Sequence, residues 1–283
     1  MPEGPEVRVM TDQLSKITTT YPYLHRFSVI AGRYTRHPFP SLETFQEMLP
    51  LKIKSLDCRG KLIYWLFNSN PDWYLLNTLG MSGRWSLQKE THAHIEIVVA
   101  SSLESSTTQQ LTLWFCDPRH FATLTLTRNP TIRFQKIGPD WLHPTASPTL
   151  ERFKNTFLQK DKKSRNKPTL PKLLMDQSLF SGCGNYLKSE VLYRAKISPH
   201  RTPSSLSESE WSLLYQEMMT TIRESYQANG TTLATYATPD GKTGSYFERL
   251  KVYNKKHDPL GNLVLRITTP DKRTTHWVPE IQK

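Results

Sequence analysis

Apolar positions recur along this chain at two different periods, and the change from one to the other divides it. Val7, Met10, Leu14 and Ile17 stand three and four residues apart, the spacing of a helix with one buried stripe. Pro5 suits the first turn of that helix, where a missing N–H costs nothing. From Phe27 to about Leu126 the period falls to two, in short runs such as "KIKSLDCRGKLIYWLF", "HIEIVVA" and "FATLTLT" broken by Gly, Asn, Asp and Pro. This alternation predicts an antiparallel sandwich or barrel, with "SLETFQEML" as one short helix among the strands.

The stretch "RNPTIRFQKIGPDWLHPTASP" is rich in proline and has no period, which marks a boundary. Helical spacing returns in "LERFKNTFL", "LPKLLMDQSLF", "NYLKSEVLYRA" and "SESEWSLLYQEMMTTIRESYQ", the last opened by the capping-box pair Ser207 and Glu210. After Gly230 a polar stretch leads to strand texture in "RLKVYN", "LVLRITT" and "RTTHWVP". The class is therefore α+β with several units: 1–130, a linker over 131–148, a helical unit over 149–245, and a hairpin over 246–283.

Charge changes this picture by naming a kind of partner. The chain of 283 residues carries +12, and +9 of it falls in residues 149–283. Such an excess favours a polyanion, most simply nucleic acid, because each phosphate neutralised releases counterions. No apolar run approaches a membrane span and the N-terminus lacks a signal-peptide pattern, so an intracellular protein is expected. Cys58, Cys116 and Cys183 are too scattered for a zinc site and read as reduced thiols in or near the core. His92 and His94 share one strand face, which is two ligands too few for zinc.

The start, "MPEGPEV", carries candidate chemistry. With Met1 removed, Pro2 presents a secondary amine whose attack on a sugar carbon gives an iminium, positively charged without a proton. That cation is an electron sink that promotes elimination of a neighbouring phosphate. Glu3, one residue away, can protonate the opened sugar oxygen as a general acid. Glu6 lies early in the helix, where the dipole favours a carboxylate whatever its role, and counts as a supporting residue. Further along, "RGK" places Lys61 beside a hairpin turn, "LGMSG" places Met81 in a glycine-flanked turn, and "DPRHF" places Arg119 and Phe121 just past a strand. A thioether, a guanidinium and a ring at loop tips are suited to fill the hole left by an extruded base. "SGCGN" puts Asn185 where a helix begins, a place that holds a phosphate or simply caps the helix.

Taken in order, "MPEGPEV", "RGK", "LGMSG", "DPRHF", "IGPDWL", "LLMDQSLFSGCGNYLKSEVLYRA" and "FERLKVY" resemble the Fpg/Nei family of DNA glycosylases with lyase activity across nearly the whole chain. The resemblance implies an N-terminal β-sandwich flanked by helices, then a helix-two-turn-helix domain carrying a β-hairpin finger. It implies Pro2 as nucleophile, Glu3 as acid, Lys61 and Asn185 as phosphate ligands, and Met81, Arg119 and Phe121 as void fillers. Duplex DNA with oxidised bases or abasic sites is the implied partner, acted on by a monomer without a cofactor.

The finger departs from the bacterial pattern of a four-cysteine zinc ribbon, because Val278 and Ile281 occupy the closing cysteine positions. A zinc-free hairpin packed by Val264, Ile267, Trp277 and Val278 is expected, with Arg273 where the family's phosphate-binding arginine lies. Zinc-free fingers with this start resemble the endonuclease VIII-like branch of vertebrates and large DNA viruses. That points to oxidised pyrimidines and hydantoins, in a nuclear or viral replication compartment. Against it, "GTTLATYATPDGKTGSYF" resembles the Fpg stretch that caps 8-oxoguanine, which keeps an 8-oxoguanine-preferring enzyme as the alternative. A noncatalytic DNA-binding protein of the same fold is the other.

Overall fold

The first helix, α1 (Gly4–Thr20), buries Val7, Met10 and Leu14 against the sheet that follows it. In the computed structural model, which describes residues 2–104, 109–232 and 237–283, that sheet has eight antiparallel strands. They are β1 (Tyr23–Val29), β2 (Leu51–Arg59), β3 (Leu62–Phe67), β4 (Trp73–Thr78), β5 (Arg84–Ser86), β6 (Ala93–Ala100), β7 (Gln110–Cys116) and β8 (Thr123–Thr127). Two short helices, α2 (Arg33–Arg36) and α3 (Leu42–Glu47), lie between β1 and β2. The spatial order is β5-β7-β6-β1-β2-β3-β4-β8.

The join between the two halves of the sheet is narrow, since β1 pairs with β2 only at Tyr23↔Lys52 and Leu24↔Leu51. The sheet folds over there and its halves face each other. Trp65 on β3 lies 5.4 Å, ring to ring, from Trp85 on β5, five strands away in the order, and the Trp85 indole donates to Asn77 Oδ1 on β4 at 3.0 Å. One continuous sheet thus forms the sandwich that alternation predicts. Its interior holds Phe27, Phe45, Trp65, Phe67, Trp85 and Phe115, each almost wholly buried.

A second core lies among helices α5 (Leu150–Lys163), α6 (Leu170–Leu174), α7 (Asn185–Arg194) and α8 (Glu208–Gln227). The Ser207–Glu210 capping box at the start of α8 is present as its sequence predicts. The residues between the two cores form more than a tether: α4 (Thr131–Gln135) lies there, and Trp141 is buried in the helical core against Phe153 and Phe180. All three cysteines are buried and free.

Two strands, β9 (Leu265–Thr268) and β10 (Thr274–Trp277), pair antiparallel as the finger. "RLKVYN" is not a third strand. The buried carboxylate of Glu190 on α7 accepts from the backbone N–H groups of Lys251, Val252 and Tyr253 at 2.8–2.9 Å, so these groups need no strand partner. The apolar cluster beneath the hairpin consists of Tyr193, Val252, Val264 and Val278. Ile267 and Trp277 stand outside it, and the Trp277 ring instead meets His200 edge-on at 5.2 Å.

Candidate active site

The first turn of α7 leaves backbone N–H groups without intrahelical partners, and Glu3 supplies the acceptor. Tyr186 N donates to Glu3 Oε1 at 2.8 Å and Leu187 N to Oε2 at 3.3 Å. The two chain segments approach so closely that a Cβ on Gly184 would stand 2.3 Å from the Glu3 carboxyl carbon, so only glycine fits. Gly4 N also donates to Gly182 O at 2.8 Å, stitching the start of the chain to the loop before α7.

Burial dominates the electrostatics of this carboxyl. Glu3 is 2% exposed, and loss of hydration pushes its pKa up to about 7, against the pull of the Lys61 charge and the two backbone donors and with help from nearby Glu6. A carboxyl with that pKa can hold a proton at neutral pH and give it up within the site. Glu6, equally buried, turns inward as a knot: it accepts from Glu3 N at 2.7 Å, Tyr186 Oη at 3.0 Å and Thr231 N at 2.6 Å. Its pKa is also raised by burial.

Beside this pair lies a cavity of about 270 Å³ lined by residues that include Pro2, Val7, Arg59, Lys61, Gly80 and Gln177. Lys61 Nζ donates to Cys183 O at 2.7 Å, and Gln177 Nε2 donates to the same oxygen at 2.8 Å. Pro2, Glu3 and Lys61 are therefore brought together from residues that are up to 59 positions apart in sequence. Met1, whose removal the reading of Pro2 requires, lies outside the described residues, as do positions 233–236 of the stretch compared with the 8-oxoguanine cap.

Gly80 leads from the cavity to a second group. Its φ of +58° suits glycine, and a Cβ there would stand 2.5 Å from the Phe121 carbonyl carbon and 2.6 Å from Ala122 N. Met81 follows directly. Buried Asp117 ties the two loops together: its carboxylate accepts from Ser82 Oγ and Ala122 N at 2.7 Å each, while Arg119 N donates to Ser82 Oγ at 3.1 Å. Phe121 is left 57% exposed, with the Arg119 guanidinium 5.6 Å from its ring centre. An exposed aromatic on a braced loop is ready to enter another molecule's stack.

Asn185 begins the helix that Glu3 caps, and its side chain turns to the finger, where Nδ2 donates to Thr274 O at 2.9 Å. Asn185 and Arg273 line one cleft together with Tyr253, Arg266 and His276. Gln177, Ser82, Asp117 and Tyr186 have structural parts in these groups that the sequence reading missed. Asp117 lay inside a quoted motif, but nothing in its spacing distinguishes a loop brace from a surface carboxylate. Among the described residues no group of three or more His, Cys, Asp or Glu side chains is placed to hold a metal.

A helix-rich unit with a hairpin, joined to a folded sheet at the buried Glu3 carboxyl, is the architecture of a DNA glycosylase. Three family models match in order: the formamidopyrimidine-DNA glycosylase N-terminal domain over residues 1–124, its H2TH domain over 145–237 and its C-terminal domain over 243–283. The chain belongs to the formamidopyrimidine-DNA glycosylase family. It is 27% identical to the formamidopyrimidine-DNA glycosylase of Geobacillus kaustophilus, with 100% of both chains covered. It is 29% identical to that of Bacillus cereus, covering 100% of this chain and 99% of the relative. The crystal structure of the MutM (Fpg) protein of Thermus thermophilus matches at 27% identity and a TM-score of 0.79 over 99% of this chain and 98% of that one. MutM in complex with DNA containing carbocyclic 8-oxo-G shares the fold over 100% of both chains, at 23% identity and a TM-score of 0.80. These relatives do not place the chain in the endonuclease VIII-like branch, and none points to a nuclear or viral setting.

Proposed function

We propose that this protein is a bifunctional base-excision enzyme that removes an oxidised base and then cuts the strand through a Schiff base on Pro2. The observation that carries the reading is the meeting of Pro2 with Lys61 at one cavity while the adjacent Glu3 carboxyl is buried with its pKa near 7. The Pro2 nitrogen attacks the sugar C1′, the C1′–base bond breaks and the base departs, its nitrogen taking the proton that the Pro2 amine loses. Glu3 gives its proton to the ring oxygen as the sugar opens, leaving an iminium between Pro2 and C1′. The cation acidifies C2′; loss of that proton eliminates the 3′ phosphate, and a second elimination releases the 5′ phosphate. Lys61 and Asn185 hold the phosphates at the lesion, with Arg273 on the finger, and Met81, Arg119 and Phe121 occupy the space the base leaves. Met1 must be absent, because a Pro2 nitrogen in a peptide bond has no lone pair free to attack.

For the substrate, the relatives' shared name, formamidopyrimidine-DNA glycosylase, favours formamidopyrimidine lesions in DNA and fits the 8-oxoguanine alternative better than the pyrimidine one. The expected preference for oxidised pyrimidines and hydantoins remains the second reading. It is supported by the Lactococcus lactis Fpg solved with DNA containing an oxidized pyrimidine, which shares this fold at 23% identity. Borohydride trapping on duplexes carrying an abasic site, 8-oxoguanine or thymine glycol tests both. A trapped complex on the abasic duplex supports the Schiff base, and its absence with Pro2 shown to be the first residue overturns it. The faster of the two base lesions names the substrate class.

A further inference from the structure

The finger contains no cysteine, yet its tip is fixed to α7 by a buried charge pair. Lys188 Nζ donates to Asp271 Oδ2 at 2.6 Å, with the lysine side chain 0% and the aspartate 4% exposed. Two more α7 side chains on the same face, one turn apart at i, i+3 and i+4, complete the seam: Asn185 Nδ2 donates to Thr274 O, and His276 N donates to Ser189 Oγ. The turn itself is closed, with Lys272 N donating to Thr269 O at 2.8 Å and Thr269 N to Arg273 O at 3.1 Å.

We propose that Lys188 and Asp271 are a positioning pair: their buried ion pair sets where the finger tip holds Arg273, and so sets the strength of the phosphate grip. This rests on the DNA-binding reading above. Three features favour a positioning role over simple filling. Asp271 is two residues from Arg273 and inside the same turn. The pair is oriented, whereas apolar side chains of the same volume would leave the turn free to slide, which is the best-attested use of a buried polar contact. Asn185, a second tether, is itself a proposed phosphate ligand, so when it turns to DNA the ion pair is the anchor left inside the turn, with Ser189 holding the strand beyond it at His276.

The test uses the full chain and the double variant Lys188→Met with Asp271→Leu, which removes both charges together and avoids stranding one in the interior. Two readouts are taken: amide exchange of residues 265–277 in the free protein, and the effect of Arg273→Ala on binding to a duplex with an abasic-site analogue. In the wild-type background Arg273→Ala should weaken binding about tenfold and lower the salt slope by about 0.9. In the double variant, with the melting temperature kept, exchange at the tip should rise at least about tenfold and Arg273→Ala should cost less than about twofold. Unchanged exchange and an equal Arg273→Ala penalty in both backgrounds overturn the proposal. Should the double variant not fold, Asp271→Asn, which keeps the turn's acceptor oxygen without its charge, is read by the same two measures. Failure of the wild type to bind the duplex sinks the DNA-binding reading, and exchange at the tip then decides the positioning role alone.

Discussion

The start of the chain and the finger both sit on α7, but they are held by different physics. Glu3 reaches the helix end, accepts two backbone N–H groups and is enclosed so tightly that Gly184 cannot carry a Cβ. The finger reaches the helix flank and is held by side chains, with four-residue strands and an exposed Arg273. Backbone contacts at van der Waals limits fix a group to a fraction of an ångström, the precision that the proposed acid needs. A hairpin on side-chain tethers presents charge to a long, uneven polyanion, for which Coulomb attraction over several ångström suffices.

This contrast is open to measurement, beginning with the largest effect. Retaining one residue ahead of Pro2 should abolish the borohydride-trapped complex and base excision, a loss beyond about 10³-fold, while leaving duplex affinity within about threefold. Equal loss of affinity would mean that the chain start grips DNA as well as reacting with it. Glu3→Gln should slow base excision by about 10²–10⁴-fold and cost far less in nicking of a preformed abasic site.

The raised pKa of Glu3 gives that prediction a pH signature. As the acid, the protonated carboxyl is the active form, so Glu3 should give excision a limb that falls about tenfold per unit above about pH 7. Glu3→Gln should remove that limb. The folded chain binds this proton up to about pH 7 and an unfolded one only to about its ordinary value of 4.5. Between those limits the native state therefore holds more protons, and the stability contributed by Glu3 is complete below the lower value and lost as pH rises through the upper one. Thermal melts of wild type and Glu3→Gln across that window check the sign.

At the finger, single changes should be milder and more salt-dependent. Arg273→Ala should weaken duplex binding about tenfold, nearly equally for every sequence, and reduce the slope of log affinity against log salt by about 0.9. A sequence-dependent loss would mean that the arginine reads bases. Phe121→Ala, on an exposed loop tip, should leave thermal stability within about 0.5 kcal/mol and slow excision from duplex several-fold more than from a bubble, where less stacking has to be replaced. Equal effects on both substrates would remove Phe121 from the void-filling set.

Much of the arrangement was legible because it is local or periodic. The α1 stripe, the two-residue alternation of the sheet and the Ser207–Glu210 cap each depend on neighbours within one or two turns. Pro2 and Glu3 were readable as candidates from the chemistry of the chain start, and the familiar order of the motifs strengthened them and gave Lys61 its role. Other features depend on partners far away in sequence. "RLKVYN" has strand texture, yet Glu190 takes its N–H groups from 61–63 residues away, and no pattern within the segment carries that information. Asp117 and Gln177 look like surface polar residues until the loops they brace are brought together.

By itself the sequence determined which elements form, that two cores exist, and that the basic charge gathers in the second half, since periodicity, capping and composition act through near neighbours. The tertiary structure alone decided that Glu3 is enclosed and raised to about 7, that Glu6 is a knot facing inward, and that Lys188 is buried against Asp271. Burial and pKa belong to the surroundings of a side chain, and much of those surroundings comes from chain segments far away in sequence, such as Tyr186 for Glu3 and Asp271 for Lys188.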